Sequence, residues 1–117
     1  MLYLRSTLTM ATFVNGKLTR NKNKNFFEKI GVVSTSFSDH SYSWDFISQG
    51  LSIVAESTNC TDVIEYSFNG DTVHGDLTPG FSGAFIWDDR RECKIFFRRK
   101  TEGNSVVVRL EVWRNEY

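Results

Sequence analysis

The feature that most constrains this chain is a period of two. From Gly31 onward, apolar side chains return at every second position. Tyr42, Trp44 and Phe46 alternate with Ser43 and Asp45; Leu51, Ile53 and Ala55 alternate with Ser52, Val54 and Glu56; Ile64, Tyr66 and Phe68 alternate with Glu65 and Ser67. Successive side chains of a strand point to opposite faces, so this spacing puts the apolar set on one face, whereas a helix would scatter it. Val32 to Phe37, Gly83 to Trp87, Lys94 to Arg98 and Val106 to Trp113 are further β-prone runs. The last two are separated by Lys100-Thr101-Glu102-Gly103-Asn104 and read as a hairpin with a short polar loop. No window carries a sustained helical stripe with caps. Ten Phe, an aromatic share of 15% and a single Pro suit pleated sheets better than helices. Six to eight short strands, punctuated by Asn69-Gly70, Thr78-Pro79-Gly80 and Glu102-Gly103-Asn104, predict an all-β fold. Its expected form is an antiparallel β-sandwich, jelly-roll or Ig-like, and 117 residues suffice for one such core.

Residues 1–29 break this pattern. Leu2, Leu4, Leu8 and Met10 are scattered among Ser and Thr, and the stretch from Asn15 to Asn25 interleaves Lys17, Arg20, Lys22 and Lys24 with Asn. That stretch carries four positive charges, no negative one, and almost nothing to bury. The expected organisation is an amino-terminal arm or hairpin over 1–29 and a sandwich domain over 30–117. Asn15-Gly16 is a turn signal for a short hairpin, and Phe26 to Ile30 forms either one helical turn or the lead into the first core strand. Fourteen basic and fourteen acidic side chains cancel, which argues against a general nucleic-acid binder. The basic arm is therefore expected to lie on an acidic protein neighbour, ahead of staying solvated or contacting phosphates. Arg90-Arg91 and Arg98-Arg99-Lys100 read as solvated charge at strand ends. Phe96 with Phe97, Phe26 with Phe27 and Ile86 with Trp87 make strands apolar on both faces, which implies that something covers the outer one. A protein partner or self-association is the first explanation. A carbohydrate-binding platform built on Trp44, Trp87 or Trp113 is its rival.

Residue types for catalysis are present without the spacing that catalysis needs. Asp39-His40-Ser41 holds the members of a hydrolytic triad, but neighbours on a strand face opposite ways. Asp71, His74 and Asp76 gather around one turn without a fourth ligand, a weak cation signal that ordinary turn polarity explains. Glu65 reads as a solvated outer position with no second carboxylate at a defined separation. Gly70, Gly75, Gly80 and Gly83 are spaced like successive turns and not like a phosphate cradle. The expectation is a non-enzyme with no metal and no cofactor. Cys60 and Cys93 either bridge or stay free, and free, mostly buried thiols are expected. No run approaches the ~20 apolar residues of a membrane span, and the opening residues lack the pattern of a signal peptide. No membrane association is expected, and synthesis is expected in the cytoplasm. Asn59-Cys60-Thr61 is then a chance match to a glycosylation sequon.

The run from Asp62 to Gly80 resembles a stretch in small proteins of tailed bacteriophages. In those, a strand ending in Ser-Phe-Asp/Asn-Gly leads to Val-His-Gly. Here the positions are Ser67-Phe68-Asn69-Gly70 and Val73-His74-Gly75. An Asp-Asn-Arg turn followed by an Ile-Phe-Phe-Arg strand is matched by Ile95-Phe96-Phe97-Arg98 after Asp88-Asp89-Arg90, where the middle residue departs from the pattern. The likeness spans residues 60–113 and leaves out the arm. It implies a virion structural protein made in the host cytoplasm: a capsid decoration (cement) protein in many copies or as a homo-oligomer, bound to the major capsid protein or another virion protein. A neck or tail component and a glycan-binding adhesin are the alternatives. Lys17, Arg20, Lys22, Lys24, Phe26, Phe27 and Phe96 are the residues expected to make the contact.

Overall fold

The structure is a computed structural model that describes residues 13–14, 17–18, 24–80 and 83–115. Its strands are β1 (Phe13–Val14), β2 (Lys17–Leu18), β3 (Lys24–Val32), β4 (Ser41–Ser43), β5 (Gly50–Glu56), β6 (Ile64–Ser67), β7 (Gly75–Leu77), β8 (Ala84–Trp87), β9 (Lys94–Arg99) and β10 (Val106–Arg114). A single 3-10 turn, Phe37–Asp39, interrupts them among the described residues. Two four-stranded sheets form, in the orders β3-β10-β5-β8 and β4-β9-β6-β7, with every pairing antiparallel. They enclose one core, so the predicted β-sandwich is the fold. β1 and β2 pair with each other as a separate ribbon, Phe13 opposite Leu18.

The alternation in the sequence decides which side chains enter that core. In β10, Val106, Val108, Leu110 and Val112 point inward, while Val107 and Glu111 point out. Leu51, Ile53 and Ala55 of β5 and Ile30 and Val32 of β3 extend the same floor. Ile64, Tyr66 and Phe68 with Ile95 and Phe97 form the ceiling. Each fully buried aliphatic or Phe side chain contributes about 1.5–3 kcal/mol by leaving water, which is the dominant favourable term here.

Several local expectations change. The run from Val32 to Phe37 stays in a strand only as far as Val32, because the N–H groups of Val33 and Ser34 donate to Nε2 of His40 (3.2 and 3.1 Å) instead of to a ladder. The Tyr42–Phe46 strand stops at Ser43. Beyond it the Trp44 indole N–H turns to the Glu92 carbonyl (3.0 Å). Strands β9 and β10 are not a hairpin: they belong to different sheets. The loop between them wraps the Arg99 guanidinium, which donates to the carbonyls of Thr101 and Asn104 and so carries the chain across the sandwich. Arg99 is itself a correction, since it is only 3% exposed and paired with Asp62 (3.3 Å), not a solvated strand-end charge. Cys60 and Cys93 are free, as expected, but exposed and not buried. The boundary drawn between residues 29 and 30 falls inside β3. Residues 24–29 pair with β10 in unbroken register, Lys24 opposite Arg114 and Lys29 opposite Arg109.

Candidate protein-contact surface

Four of the seven expected contact residues have described surroundings. Strand alternation sends Phe26 and Phe27 to opposite faces of β3. Phe26 is half-buried, its ring 5.7 Å from that of Trp44, and it packs on the core. Phe27 stands on the outer face, 53% exposed, with Glu111 opposite it on β10. Lys24 opens the same strand and is exposed. Phe96 lies on the outer face of the second sheet, half-buried and 5.8 Å from the Lys94 ammonium. The chain itself covers this ring: Gly70, at φ +84, brings the Asn69-Gly70 turn so close that a Cβ there would lie 3.2 Å from it. Part of the outer cover inferred for Phe96 is thus internal. Lys17 lies in β2, but nothing of its side chain is described, and Arg20 and Lys22 lie outside the described residues.

The outer face of the first sheet can be read by register. One row runs Phe27, Glu111, Ser52, Ile86; the next runs Lys29, Arg109, Val54, Ala84. Lys29 and Arg109 both reach Glu56, at 4.0 and 3.1 Å, so the centre of the face is an ion-pair network with apolar groups at its two margins. Trp113 adds a half-buried indole on the same face, laid over Gly50, where any side chain would collide with it. On the opposite side of β3 a shallow, open groove of about 440 Å³ is lined by Asn25, Phe26, Ser43, Trp44, Asp45 and Phe46.

A second concentration of chemistry lies at the β7–β8 side. Tyr66 packs edge-on against Phe68 (5.9 Å) and Trp87 (5.5 Å), and Phe85 stacks on Trp87 at 5.8 Å. The Arg90 guanidinium sits 4.1 Å over Phe68. Burial raises the Tyr66 phenol above its usual pKa; the Arg90 charge partly offsets this, and Asp76 adds to it. Gly75 faces Tyr66 across the β6–β7 pair, and a Cβ there would strike the phenol ring. This residue is required by packing, a reason its turn-like spacing concealed. Of the three tryptophans considered as a glycan platform, Trp44 is buried, and Trp87 and Trp113 are half-buried.

Both histidines are engaged in holding main chain. Nε2 of His40 accepts two backbone N–H groups, and its ring is 8% exposed. Burial holds its pKa below the ordinary value, and the Asp39 carboxylate opposes that shift. Nδ1 of His74 accepts the Phe68 N–H at 3.0 Å, which accounts for this residue beside Asp71 and Asp76. Among the described residues, no three His, Cys, Asp or Glu groups gather in a way that would hold a metal ion, and no helix is long and apolar enough to cross a membrane. Glu65, read as a solvated carboxylate, bonds Nε of Arg98 across the β6–β9 pair at 2.8 Å. No protein-family model matches the chain, and no curated protein sequence matches it.

Proposed function

We propose that this chain is a non-catalytic, protein-binding sandwich that works as a structural part of a tailed-phage particle, most specifically as a capsid decoration protein. The observation that carries the binding reading is Phe27, half-exposed on a nine-residue edge strand and continuous in sequence with Lys24, Lys22, Arg20 and Lys17. Exposed aromatics are enriched at protein interfaces, and a neighbouring run of positive charge speeds and orients the approach of an acidic partner. The engagement of His40 and His74 by main-chain N–H groups fits a structural duty better than acid–base work. The virion assignment rests on the resemblance of residues 60–113 to phage proteins. In this role the rigid sandwich spans a seam between capsid subunits, and many weak contacts add up through multivalency.

The test is binding of purified protein to particles that lack it. Because β3 begins at Lys24, the informative truncation removes residues 1–23 and leaves the sheet whole. Phe27→Ser is the point variant, at an exposed position where the fold should hold. Both variants are expected to stay folded and to lose particle binding. Undiminished binding by both would overturn the assignment of this surface. A stoichiometry of a dozen copies or fewer would move the protein from the head to the neck or tail.

A further inference from the structure

The four outer strands of the two sheets are not equally protected. A free strand edge offers unpaired N–H and C=O groups to any other strand, and proteins blunt such edges with charge, brevity, Pro or bulges. β3 carries Lys24, Glu28 and Lys29, while β4 and β7 are only three residues long, with Asp76 in β7. β8 is one residue longer than β4 and β7 and has brevity as its one such device. It reads Ala84-Phe85-Ile86-Trp87, without charge or Pro, with Ile86 69% and Phe85 38% exposed. On one side it pairs with β5; its other side has no strand among the described residues.

The hydrogen-bond phase of this edge follows from one contact. Ala55 N–H donates to the Gly83 carbonyl at 2.7 Å, directly opposite it in the β5–β8 register. Antiparallel ladders alternate, so Phe85 and Trp87 also aim their main-chain groups at β5, and Ala84 and Ile86 aim theirs at the open side. A strand arriving there would find ready partners at alternate residues.

We infer that β8 is a self-association edge: a second copy of this chain adds its own β8 antiparallel, with Ile86 opposite Ile86 across a two-fold axis. Among neighbouring registers this one is selected by side chains. It sets Phe85 opposite Trp87 of the other copy and puts Asp88 and Asp89 opposite Ala84 and Gly83. Sliding by one residue in each strand in one direction sets Asp88 against Ile86. Sliding the other way sets Trp87 against Gly83 and leaves one aromatic pair, Phe85 with Phe85, in place of two. Cross-strand aromatic pairs stabilise a sheet, and no like charges meet in the chosen register. The two-fold axis makes the contact isologous, so it closes as a dimer and does not propagate into a fibre. The pairing also supplies what the β7–β8 aromatic cluster lacks. Phe85 stacks on Trp87 within one copy yet keeps more than a third of its surface in water, and the partner's Trp87 would cover it.

The experiment is sedimentation velocity of the full chain across a concentration series. A monomer–dimer equilibrium is expected, and Ile86→Lys should raise its dissociation constant by about tenfold or more, since two ammonium groups would then face each other. Ile86 is so exposed that this variant should keep the wild-type unfolding midpoint, which separates lost pairing from lost folding. The register has its own test. In a Cys60→Ser, Cys93→Ser background, Ile86→Cys should oxidise to a disulfide-linked dimer, and Val107→Cys, on the same outer face, should not. A chain that stays monomeric throughout, a dimer indifferent to Ile86→Lys, or equal cross-linking from both cysteine positions would overturn the inference. It does not depend on the particle assignment: a dimer absent from virions would leave it standing.

Discussion

Two regions close the sandwich by opposite means. Around Arg99 and His40 the closure is polar and directional. The Arg99 guanidinium meets Asp62 and two carbonyls, His40 accepts two N–H groups, and the Asp39 carboxylate takes the Ser34 hydroxyl at 2.6 Å. Around Tyr66 and Trp87 the closure is chiefly a stack of rings, with the Phe68 N–H held by His74 Nδ1 at 3.0 Å, and it ends in exposed Phe85 and Ile86. Hydrogen bonds saturate, so the first region is finished inside one chain. Ring packing has no such limit, and the second region can be extended by another molecule. The difference teaches where to look for a second copy of this chain: beside the unfinished aromatic stack and not beside the satisfied charges.

The sharpest way to break this comparison is to remove Arg99. Arg99→Ala leaves the Thr101 and Asn104 carbonyls without their donor and Asp62 with only the Ser57 hydroxyl at 2.9 Å, and removing one member of a buried ion pair costs about 3–5 kcal/mol. Urea denaturation should show this as the largest loss of any variant here. Trp87→Ala should cost less, about 2–3 kcal/mol, because the ring is half-buried and its cavity opens to water. If Trp87→Ala proves more damaging than Arg99→Ala, the polar region is not the firmer closure.

Acid should act on the polar region through His40. The folded His40 pKa lies below its unfolded value of 6.5, so between the two pH values the unfolded chain holds the extra proton. The neutral ring's contribution is therefore complete above pH 6.5 and is lost as pH falls through the folded value, where a protonated Nε2 would face two N–H donors. Denaturation midpoints from pH 8 to 5 should fall, and His40→Gln should flatten that fall. The smallest effect is expected from Glu65→Gln. Its partly exposed pair with Arg98 contributes about 0–1 kcal/mol, as such pairs usually do.

Much of the fold was legible because burial and strand period coincide. Leu51-Ile53-Ala55, Ile64-Tyr66 and Val106-Val108-Leu110-Val112 alternate in the sequence and enter the core in the same phase. What was not legible depends on contacts between distant residues. Nothing local to Arg99 says that Asp62 will meet it or that the loop after it will fold around its guanidinium, so two adjacent strands looked like a hairpin. Lys24 and Asn25 looked like loop because their strand is ordered by pairing with Arg114 and Trp113, far along the chain. At the candidate surface, the Phe26-Phe27 pair flagged an anchor. Only β3's register shows that Phe27 is the half left exposed, and only tertiary contact shows that Phe96 is shielded by the turn at Gly70. Ile86 was visible in sequence as one of several two-sided apolar pairs. Its place on an uncharged edge was not, because the strand order across a sandwich is not written in any one segment.

The most direct test of the proposed virion role is the copy number of this chain in purified tailed-phage particles, by quantitative mass spectrometry against the major capsid protein. A decoration protein is expected at hundreds of copies, in fixed ratio to the capsid protein, and removal of residues 1–23 should empty the particle of it. Absence of the wild-type chain from particles would contradict the structural role outright.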